Sequence, residues 1–344
     1  MKISFVAPTF KSSTGTKTYM DNLIYGLRQL DMDASIHYLH KLEFSILGKP
    51  RFGVISQMIQ GKFTRVSSDI VHSVSPSTAL KDTNVITIHD VIPFLQSGKK
   101  PSILDRRNLG HYISIKKALR VNDIVVTTKF TKQKLIELFG KPENNIHVVH
   151  APIRTDFFKR TPNNPFPDDG KIHALSISDF NPRKNIKTVI SKLGGNRDIE
   201  FYHIGSPRAW TSQYEGMIRF SEKFNNIHIL GPKSSEELVN YLSHADVLIS
   251  MSESEGFGLI VVEALSCGVP VILNQIPVYK ELYGSAAHFV VPEELNGDIV
   301  IKTATQNKYP EILIDYAEQF SSINVARKML EVYNLVYEKI KSGR

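Results

Sequence analysis

The chain has 344 residues, of which 42% are hydrophobic and 22% charged. This composition is typical of a soluble globular enzyme and excludes a disordered or collagen-like chain, and the length predicts about two domains. No stretch approaches the roughly 18 apolar residues of a membrane-spanning helix, because the most apolar segment, Gly258–Leu273, is interrupted by Glu263 and Pro270. The single cysteine, Cys267, excludes an internal disulfide and a cysteine-rich metal site.

The net charge of +8 belongs to the N-terminal half. Residues 1–152 carry 21 basic residues (lysine and arginine) and 11 acidic residues. Residues 153–344 carry 21 basic and 23 acidic residues. This asymmetry suggests an anionic partner for the first half, although a well-solvated surface explains it equally well. The N-terminal apolar run is too short for a signal peptide and stops at Pro8, so we expect a cytoplasmic protein.

Short apolar runs alternate with helix-length amphipathic segments along residues 1–152. The runs are rich in β-branched residues, and the long segments between them predict βαβ units around a parallel sheet. In chain order the predicted strands are Ile3–Ala7, Ser35–Leu39, Asp69–Ser73, Val85–His89, Ile124–Thr128 and Ile146–Val149.

A proline-rich segment, Ala151–Gly170, interrupts this alternation and is interpreted as a linker. The second set of predicted strands is Ile172–Ser176, Ile199–Ile204, Ile227–Leu230, Val247–Ser250, Val269–Leu273 and His288–Val291. The tail from Ala304 to Arg344 predicts two helices. The fold class is thus α/β, with two doubly wound, Rossmann-like parallel-sheet domains facing a cleft, and ligands are expected beyond the carboxyl ends of the strands.

The segment Ser250–Pro270 carries the strongest local signal. Gly256-Phe257-Gly258 and Leu259 open a predicted helix, where backbone N–H groups can approach a phosphate and the helix dipole favours its charge. Glu263 stands among apolar residues of that helix, so its charge should have a partner. We expect it to accept hydrogen bonds from a ribose diol. The alternative is a glycine-rich loop with a solvated Glu255 and a helix-surface Glu263.

This segment resembles the motif of two glutamates with seven residues between them in the retaining glycosyltransferases of family 4. Further segments resemble that family in the expected order: Gly15–Leu30 as the glycine loop and first helix, Thr87–Phe94 with its His-Asp pair, Thr127–Gly140 and Ile146–Phe158 at the end of the acceptor domain, Asn181–Ile186 as the basic phosphate clamp, and His228–Ser250 and Pro277–Pro292 in the donor domain. The resemblance implies the GT-B fold, with an acceptor domain over residues 1–152, a nucleotide-sugar domain over residues 153–320, and a C-terminal helix over residues 321–344 that returns to the first domain.

The resemblance also assigns roles to individual residues. Arg183 and Lys184 follow a predicted strand and suit a diphosphate leaving group. Many relatives place an arginine directly after that strand, where this chain has Ser178, so we expect Arg183 to substitute for it. His89 is implied to reach the donor sugar near the reacting carbon, and Glu255 to hold sugar hydroxyls. The residues implied to bind the nucleotide sugar are Gly15, Arg183, Lys184, Gly256, Phe257, Gly258, Leu259 and Glu263.

No metal and no cofactor other than the substrate nucleotide sugar is expected. Asp31 and Asp33 form an Asp-x-Asp pattern, but they fall in a predicted turn at the wrong end of the sheet for a metal–nucleotide site. The other histidines show no metal-ligand spacing. Arg183, Lys184 and the helix N-terminus would then meet the charge of the leaving diphosphate in place of Mg²⁺.

The implied function is a retaining, metal-independent glycosyltransferase that moves a hexose from GDP-mannose or a UDP-sugar to a glycan or lipid-linked acceptor. The Pro-Arg-Lys-Asn and His-Asp pattern weakly favours GDP-mannose, since that branch includes several mannosyltransferases. A nucleotide-sugar isomerase or a glycan phosphorylase on the same fold is the main alternative. An NAD-dependent dehydrogenase lacks its Gly-x-Gly-x-x-Gly signature here, and a nucleic-acid-binding protein lacks a basic-aromatic recognition motif.

Two basic amphipathic stretches predict contact with the anionic inner face of a membrane. Leu47–Val66 holds four cations and no acid among apolar residues, and Lys99–Arg120 holds seven cations against Asp105. Such stretches suit a bilayer interface. A solvated basic face is the alternative.

Overall fold

The computed structural model describes residues 1–10, 14–39, 44–46, 49–51, 53–95, 109–121, 123–140, 142–154, 163–207, 210–306 and 310–343. The chain divides into two compact units, the first comprising Met1–Ile153 with Phe320–Arg344 and the second Arg154–Gln319. Parts of the predicted linker and of the two basic stretches lie outside the described residues.

The first unit is built on a parallel six-stranded sheet of order β2-β1-β5-β6-β7-β8. Its strands are β1 (Lys2–Pro8), β2 (Asp33–Leu39), β5 (Ile70–Ser73), β6 (Val85–Ile88), β7 (Asp123–Val126) and β8 (Ile146–Val148), with β3 (Phe44–Ile46) and β4 (Lys49–Arg51) forming a separate antiparallel pair. Its helices in this part of the chain are α1 (Gly15–Gln29), α2 (Gly53–Phe63), α3 (Ile92–Leu95), α4 (Leu109–Ala118) and α5 (Lys129–Phe139).

The second unit repeats this plan with a parallel sheet of order β11-β10-β9-β12-β13-β14. Its strands are β9 (Ile172–Ile177), β10 (Ile199–Ile204), β11 (Ile227–Ile229), β12 (Val247–Ser250), β13 (Val271–Leu273) and β14 (His288–Phe289). Its helices are α6 (Ile186–Leu193), α7 (Thr211–Ser221), α8 (Ser235–His244), α9 (Leu259–Ser266), α10 (Pro277–Tyr283), α11 (Gly297–Gln306) and α12 (Pro310–Ala317).

The last helix, α13 (Ser322–Lys341), belongs to the first unit and packs along α1. The chain enters it through backbone hydrogen bonds between Ile153 and both Phe320 and Ser322. A Cβ on Gly26 of α1 would lie only 2.0 Å from the carbonyl oxygen of Ser322. Glycine at this position therefore allows the two helices to approach closely.

The prediction of two doubly wound parallel-sheet domains is confirmed. Most predicted strands agree with the observed ones to within two residues. The strand predicted to end at Thr128 ends at Val126, because the Thr128 side chain accepts the backbone N–H of Thr131 and caps α5. Among the described residues, no helix is both long and apolar enough to cross a bilayer.

Candidate active site

The candidate site of the second unit lies where the winding of its sheet reverses. The chain runs from β9 outward to β10 and β11, and then returns to the other side of β9 as β12. The loops that follow β9 and β12 are therefore neighbours at the carboxyl edge of the sheet, the position where open α/β sheets bind ligands. Arg183 and Lys184 lie in the first loop and Glu255 lies in the second.

The loop after β9 is shaped by its asparagines. The side chain of Asn181 accepts the backbone N–H of Arg183 at 3.2 Å and begins a short 3₁₀ turn, Pro182–Lys184. Asn185 then adopts a left-handed conformation with φ of 57°, which asparagine tolerates better than most residues. This turn places two adjacent cations beside the loop that follows β12.

Glu255 forms ion pairs with both cations of the predicted clamp. Its Oε1 lies 2.5 Å from Nζ of Lys184, and its Oε2 lies 3.3 Å from Nη1 of Arg183. Arg183 Nη1 also donates to the carbonyl oxygen of Ser254 at 2.5 Å. Burial raises the pKa of Glu255, but the charges of Lys184 and Arg183 outweigh this effect and hold the pKa below its ordinary value. The trio is thus an ionised cluster with one net positive charge.

Two tyrosines of α10 contact the glycine loop. Gly258 precedes α9 with φ of +89°, and a Cβ there would lie 2.7 Å from the Tyr279 ring. Tyr283 donates its hydroxyl to the carbonyl oxygens of Phe257 and Gly258 at 3.0 and 3.2 Å. These contacts fix the loop that leads into α9, and the N-terminus of such a helix is a favourable position for an anion.

Glu263 lies in the second turn of α9. No side chain of the described residues forms a hydrogen bond or ion pair with its carboxyl group, so a bound ligand stays the predicted partner of its charge. Burial raises the pKa of Glu263 to about 7. A half-neutral, unpartnered carboxyl group is available to accept hydrogen bonds from a bound ligand.

His89 lies in the first unit, directly after β6 and therefore at the carboxyl edge of that sheet. Its Nε2 lies 3.0 Å from the carbonyl oxygen of Val74. Because a carbonyl oxygen only accepts, Nε2 carries a hydrogen. Burial lowers the pKa of His89 below its ordinary value, although Asp90 and the Val74 contact offset part of the effect. The neutral ring therefore presents Nδ1 as an acceptor.

Gly15 is the first residue of α1, which is capped by Thr14 through a 3.2 Å bond from the backbone N–H of Lys17. The ring of Tyr19, one turn later, meets the His89 ring edge to face at 4.7 Å. The structure thus brings Gly15 and His89 into one unit.

The remaining predicted residues, Arg183, Lys184, Glu255 to Leu259 and Glu263, lie together in the second unit. Sequence reasoning missed Tyr279 and Tyr283. Their four-residue spacing places them on one face of α10, but nothing in the sequence indicates that this face supports the glycine loop. Among the described residues, no group of three or more histidine, cysteine or acidic side chains is arranged to hold a metal ion.

Comparisons with known proteins find similarity to glycosyltransferases. Residues 157–320 match the family described as Glycosyl transferases group 1. The matched stretch contains every predicted site residue except Gly15 and His89.

Two named relatives and one solved structure are similar to larger parts of the chain. O-antigen chain mannosyltransferase B of Escherichia coli is 25% identical over 230 residues, which are 62% of this chain and 60% of that protein. O-antigen chain mannosyltransferase RfbU of Salmonella typhimurium is 22% identical over 312 residues, which are 83% of this chain and 85% of that protein. The crystal structure of Anabaena Alr3699/HepE in complex with UDP and glucose superposes with a TM-score of 0.71 at 15% identity, covering 97% of this chain and 99% of that one. The chain therefore has the GT-B fold.

Proposed function

We propose that the chain is a retaining, metal-independent glycosyltransferase that transfers a hexose from a nucleotide diphosphate sugar to a glycan or lipid-linked acceptor. The observation that carries the proposal is the Arg183–Glu255–Lys184 cluster beside the N-terminus of α9. It combines two cations for a diphosphate with a carboxylate that can hold sugar hydroxyls.

The diphosphate would lie between Lys184, Arg183 and the backbone N–H groups that open α9. When the bond between the sugar C1 and the diphosphate oxygen breaks, negative charge grows on that oxygen and positive charge grows on the sugar ring. Lys184 and Arg183 stabilise the negative charge on the leaving oxygen. They can do so because their contacts with Glu255 and the Ser254 carbonyl hold them in place before the reaction. We propose that these two cations, with the N-terminus of α9, take the place of a metal ion in stabilising this charge.

Glu263 would hold the ribose of the donor. A carboxylate on α9 that lacks a protein partner can accept two hydrogen bonds from neighbouring hydroxyls. His89 would offer its unprotonated Nδ1 to a sugar hydroxyl, while its Nε2–H stays with Val74. Neither residue then acts as a nucleophile.

Retention of configuration is proposed through attack on the same face from which the diphosphate leaves. The new bond forms between the acceptor oxygen and C1, and the acceptor proton passes to a diphosphate oxygen, so no enzyme carboxylate is consumed. The similarity to two O-antigen mannosyltransferases favours GDP-mannose, whereas the fold shared with a protein crystallised with UDP and glucose keeps UDP-sugars as the second choice.

A peripheral contact with an anionic membrane is proposed for the first unit. Ile59 and Phe63 of α2 are 53% and 81% exposed and lie one turn apart, next to Lys62. Exposed apolar side chains beside cations suit the headgroup boundary of a bilayer. Such a contact would bring a lipid-linked acceptor to a protein of the inner membrane face.

The experiment that tests the proposed function incubates the protein with GDP-mannose and with UDP-hexoses in the presence of EDTA and a membrane lipid extract. We expect release of a nucleoside diphosphate and a glycoside whose anomeric configuration, measured by NMR, matches that of the donor. An inverted product, or activity that appears only after a divalent ion is added, would contradict the proposed mechanism. A product formed without any acceptor would favour an isomerase.

A further inference from the structure

A cavity of about 560 Å³ in the first unit is lined by four cationic side chains. Lys62 lies at the end of α2, Lys81 in the loop before β6, and Lys117 and Arg120 at the end of α4. We call this the cationic pocket. Its described lining residues include no acidic side chain.

The cationic pocket and His89 lie at opposite edges of the same sheet. Lys81 and its neighbours precede β6, and Arg120 precedes β7, so the pocket lies at the amino ends of these parallel strands. His89 follows the carboxyl end of β6. The four residues of β6 separate the two places by roughly 13 Å of extended backbone.

The nearest acidic residues in the sequence are already paired. Asp82, next to Lys81, accepts from Arg65 at 2.6 Å. Asp123, which follows the pocket residue Val121, is paired with His147 and Lys339 at 2.8 and 2.7 Å. Within the part of the chain that the structure describes, Lys62, Lys81 and Arg120 form no ion pair. The charge of the pocket is therefore not compensated by any of the described acidic side chains.

Lys117 is held in place at the pocket. Its ammonium group donates to the carbonyl oxygens of Ala79 and, at 3.5 Å, of Met58. Gly61 makes room for this arrangement, since a Cβ there would lie 2.8 Å from the Ala79 oxygen and 3.4 Å from the Lys117 nitrogen. Burial lowers the pKa of Lys117, and the like charge of Lys62 lowers it further. An anion would relieve this repulsion.

We propose that the cationic pocket binds a phosphate group. Lys62, Lys81 and Arg120 can supply charge-assisted hydrogen bonds, with Arg120 able to hold two phosphate oxygens at once. This phosphate group could be free phosphate or part of a phospholipid headgroup. The exposed Ile59 and Phe63 on α2 would give the phospholipid an additional apolar contact. Binding of a headgroup here rests on the membrane contact proposed above, whereas binding of phosphate at this edge requires neither a nucleotide sugar nor glycosyl transfer.

The test uses the full chain, the pocket variant Lys81→Ala/Arg120→Ala, and a control of equal charge, Lys302→Ala/Lys328→Ala, whose residues lie on α11 and α13. Each protein is titrated with inorganic phosphate by calorimetry. Each is also sedimented with vesicles of phosphatidylglycerol and of phosphatidylcholine at low and high salt. Titration of GDP and UDP on the same samples reports separately on the proposed donor site.

We expect the wild type and the control to bind phosphate or phosphatidylglycerol vesicles, and the pocket variant to bind about tenfold or more weakly, because charge-assisted hydrogen bonds are lost. Phosphate binding without vesicle binding identifies the free anion as the occupant. Vesicle binding that phosphate displaces identifies the headgroup. Three results would overturn the proposal, whatever the outcome for GDP and UDP. These are a pocket variant that binds as well as the wild type, equal losses of affinity in the pocket variant and the control, and a wild type that binds neither probe.

Discussion

The hydroxyl oxygen of Tyr333, on the C-terminal helix, lies 2.6 Å from Nδ1 of His72 in the sheet of the first unit. Nε2 of His72 lies 2.8 Å from the Thr87 hydroxyl, which in turn lies 3.2 Å from the hydroxyl of Tyr19. The Tyr19 ring packs against His89. A chain of buried polar contacts therefore joins the last helix of the protein to the neighbour of a candidate catalytic residue.

Removing the Tyr333 hydroxyl should destabilise the first unit. Burial lowers the pKa of His72 to about 3, so the ring is neutral and uses one nitrogen as donor and the other as acceptor. Tyr333→Phe leaves Nδ1 buried without a partner, at a cost of about 1–3 kcal/mol in the free energy of unfolding. Urea unfolding measures this loss. Tyr337→Phe, four residues along the same helix, is the control and should unfold close to the wild type. Equal midpoints for both variants would show that the contact contributes nothing.

Gly258→Ala should weaken both stability and nucleotide binding. Alanine at φ of +89° is strained, and its Cβ would also meet the Tyr279 ring at 2.7 Å. Gly195 provides the matched control, because its φ is +81° and nothing lies within 4 Å of a Cβ there. Gly195→Ala should therefore show the backbone strain alone, about 1–2 kcal/mol. Thermal unfolding and GDP or UDP titration of both variants measure the difference. A Gly258→Ala protein that behaves like Gly195→Ala in both assays would rule out a role for the Tyr279 contact.

Glu263 should lower the stability of the free protein at neutral and alkaline pH. Its pKa is about 7 in the folded state against 4.5 ordinarily, so the folded state holds the proton more tightly and stability falls as the pH rises from about 4.5 to about 7. Glu263→Gln should then be more stable than the wild type at pH 8, by up to about 3 kcal/mol, and the gain should vanish near pH 4. Unfolding curves at the two pH values test this. A glutamine variant that is less stable at pH 8 would contradict it.

The same carboxyl group should make donor binding depend on pH. If the ionised form accepts the ribose hydrogen bonds, the affinity for a nucleoside diphosphate rises with pH up to about 7 and then levels. In Glu263→Gln this dependence should disappear. Titration calorimetry between pH 5.5 and 8.5 measures it, and an identical pH profile in the variant would assign the titration to another group.

Lys184→Ala should lower the rate of transfer more than it weakens donor binding. The charge that Lys184 meets grows as the leaving group departs, so its loss is expected to reduce kcat by about 10²-fold or more. Lys187→Ala is the control. That lysine lies one turn away and contacts the Phe220 ring. Initial rates and donor KM for both variants separate binding from chemistry. A Lys184→Ala enzyme with unchanged kcat and a raised KM would show that Lys184 only binds the donor.

The sequence predicts the fold well because its apolar, β-branched runs and the spacing between them are local signals. The resemblance to the glycosyltransferase family implies the residues of the glycine loop and the clamp, and the observed strand order makes the loops after β9 and β12 neighbours. The sequence does not predict that Glu255 pairs with Lys184 and Arg183, because Lys184 and Glu255 are 71 positions apart in the chain. The support of Gly258 by Tyr279 and the contact of His72 with Tyr333 are likewise set by tertiary packing. The cationic pocket arises where three segments converge, and only its Lys62, Lys117 and Arg120 belong to the two basic stretches of the sequence.

The most direct test of donor binding through Glu263 is a calorimetric titration of GDP-mannose and UDP-glucose, in EDTA, into the wild type, Glu263→Gln and Glu253→Gln. Glu253 lies on the loop that precedes α9 and is exposed, so its variant controls for charge. We expect at least one donor to bind the wild type without metal, Glu263→Gln to bind it about 10- to 150-fold more weakly, and Glu253→Gln to bind it normally. Equal affinities for the wild type and Glu263→Gln, or no binding of either donor, would contradict the proposed donor site.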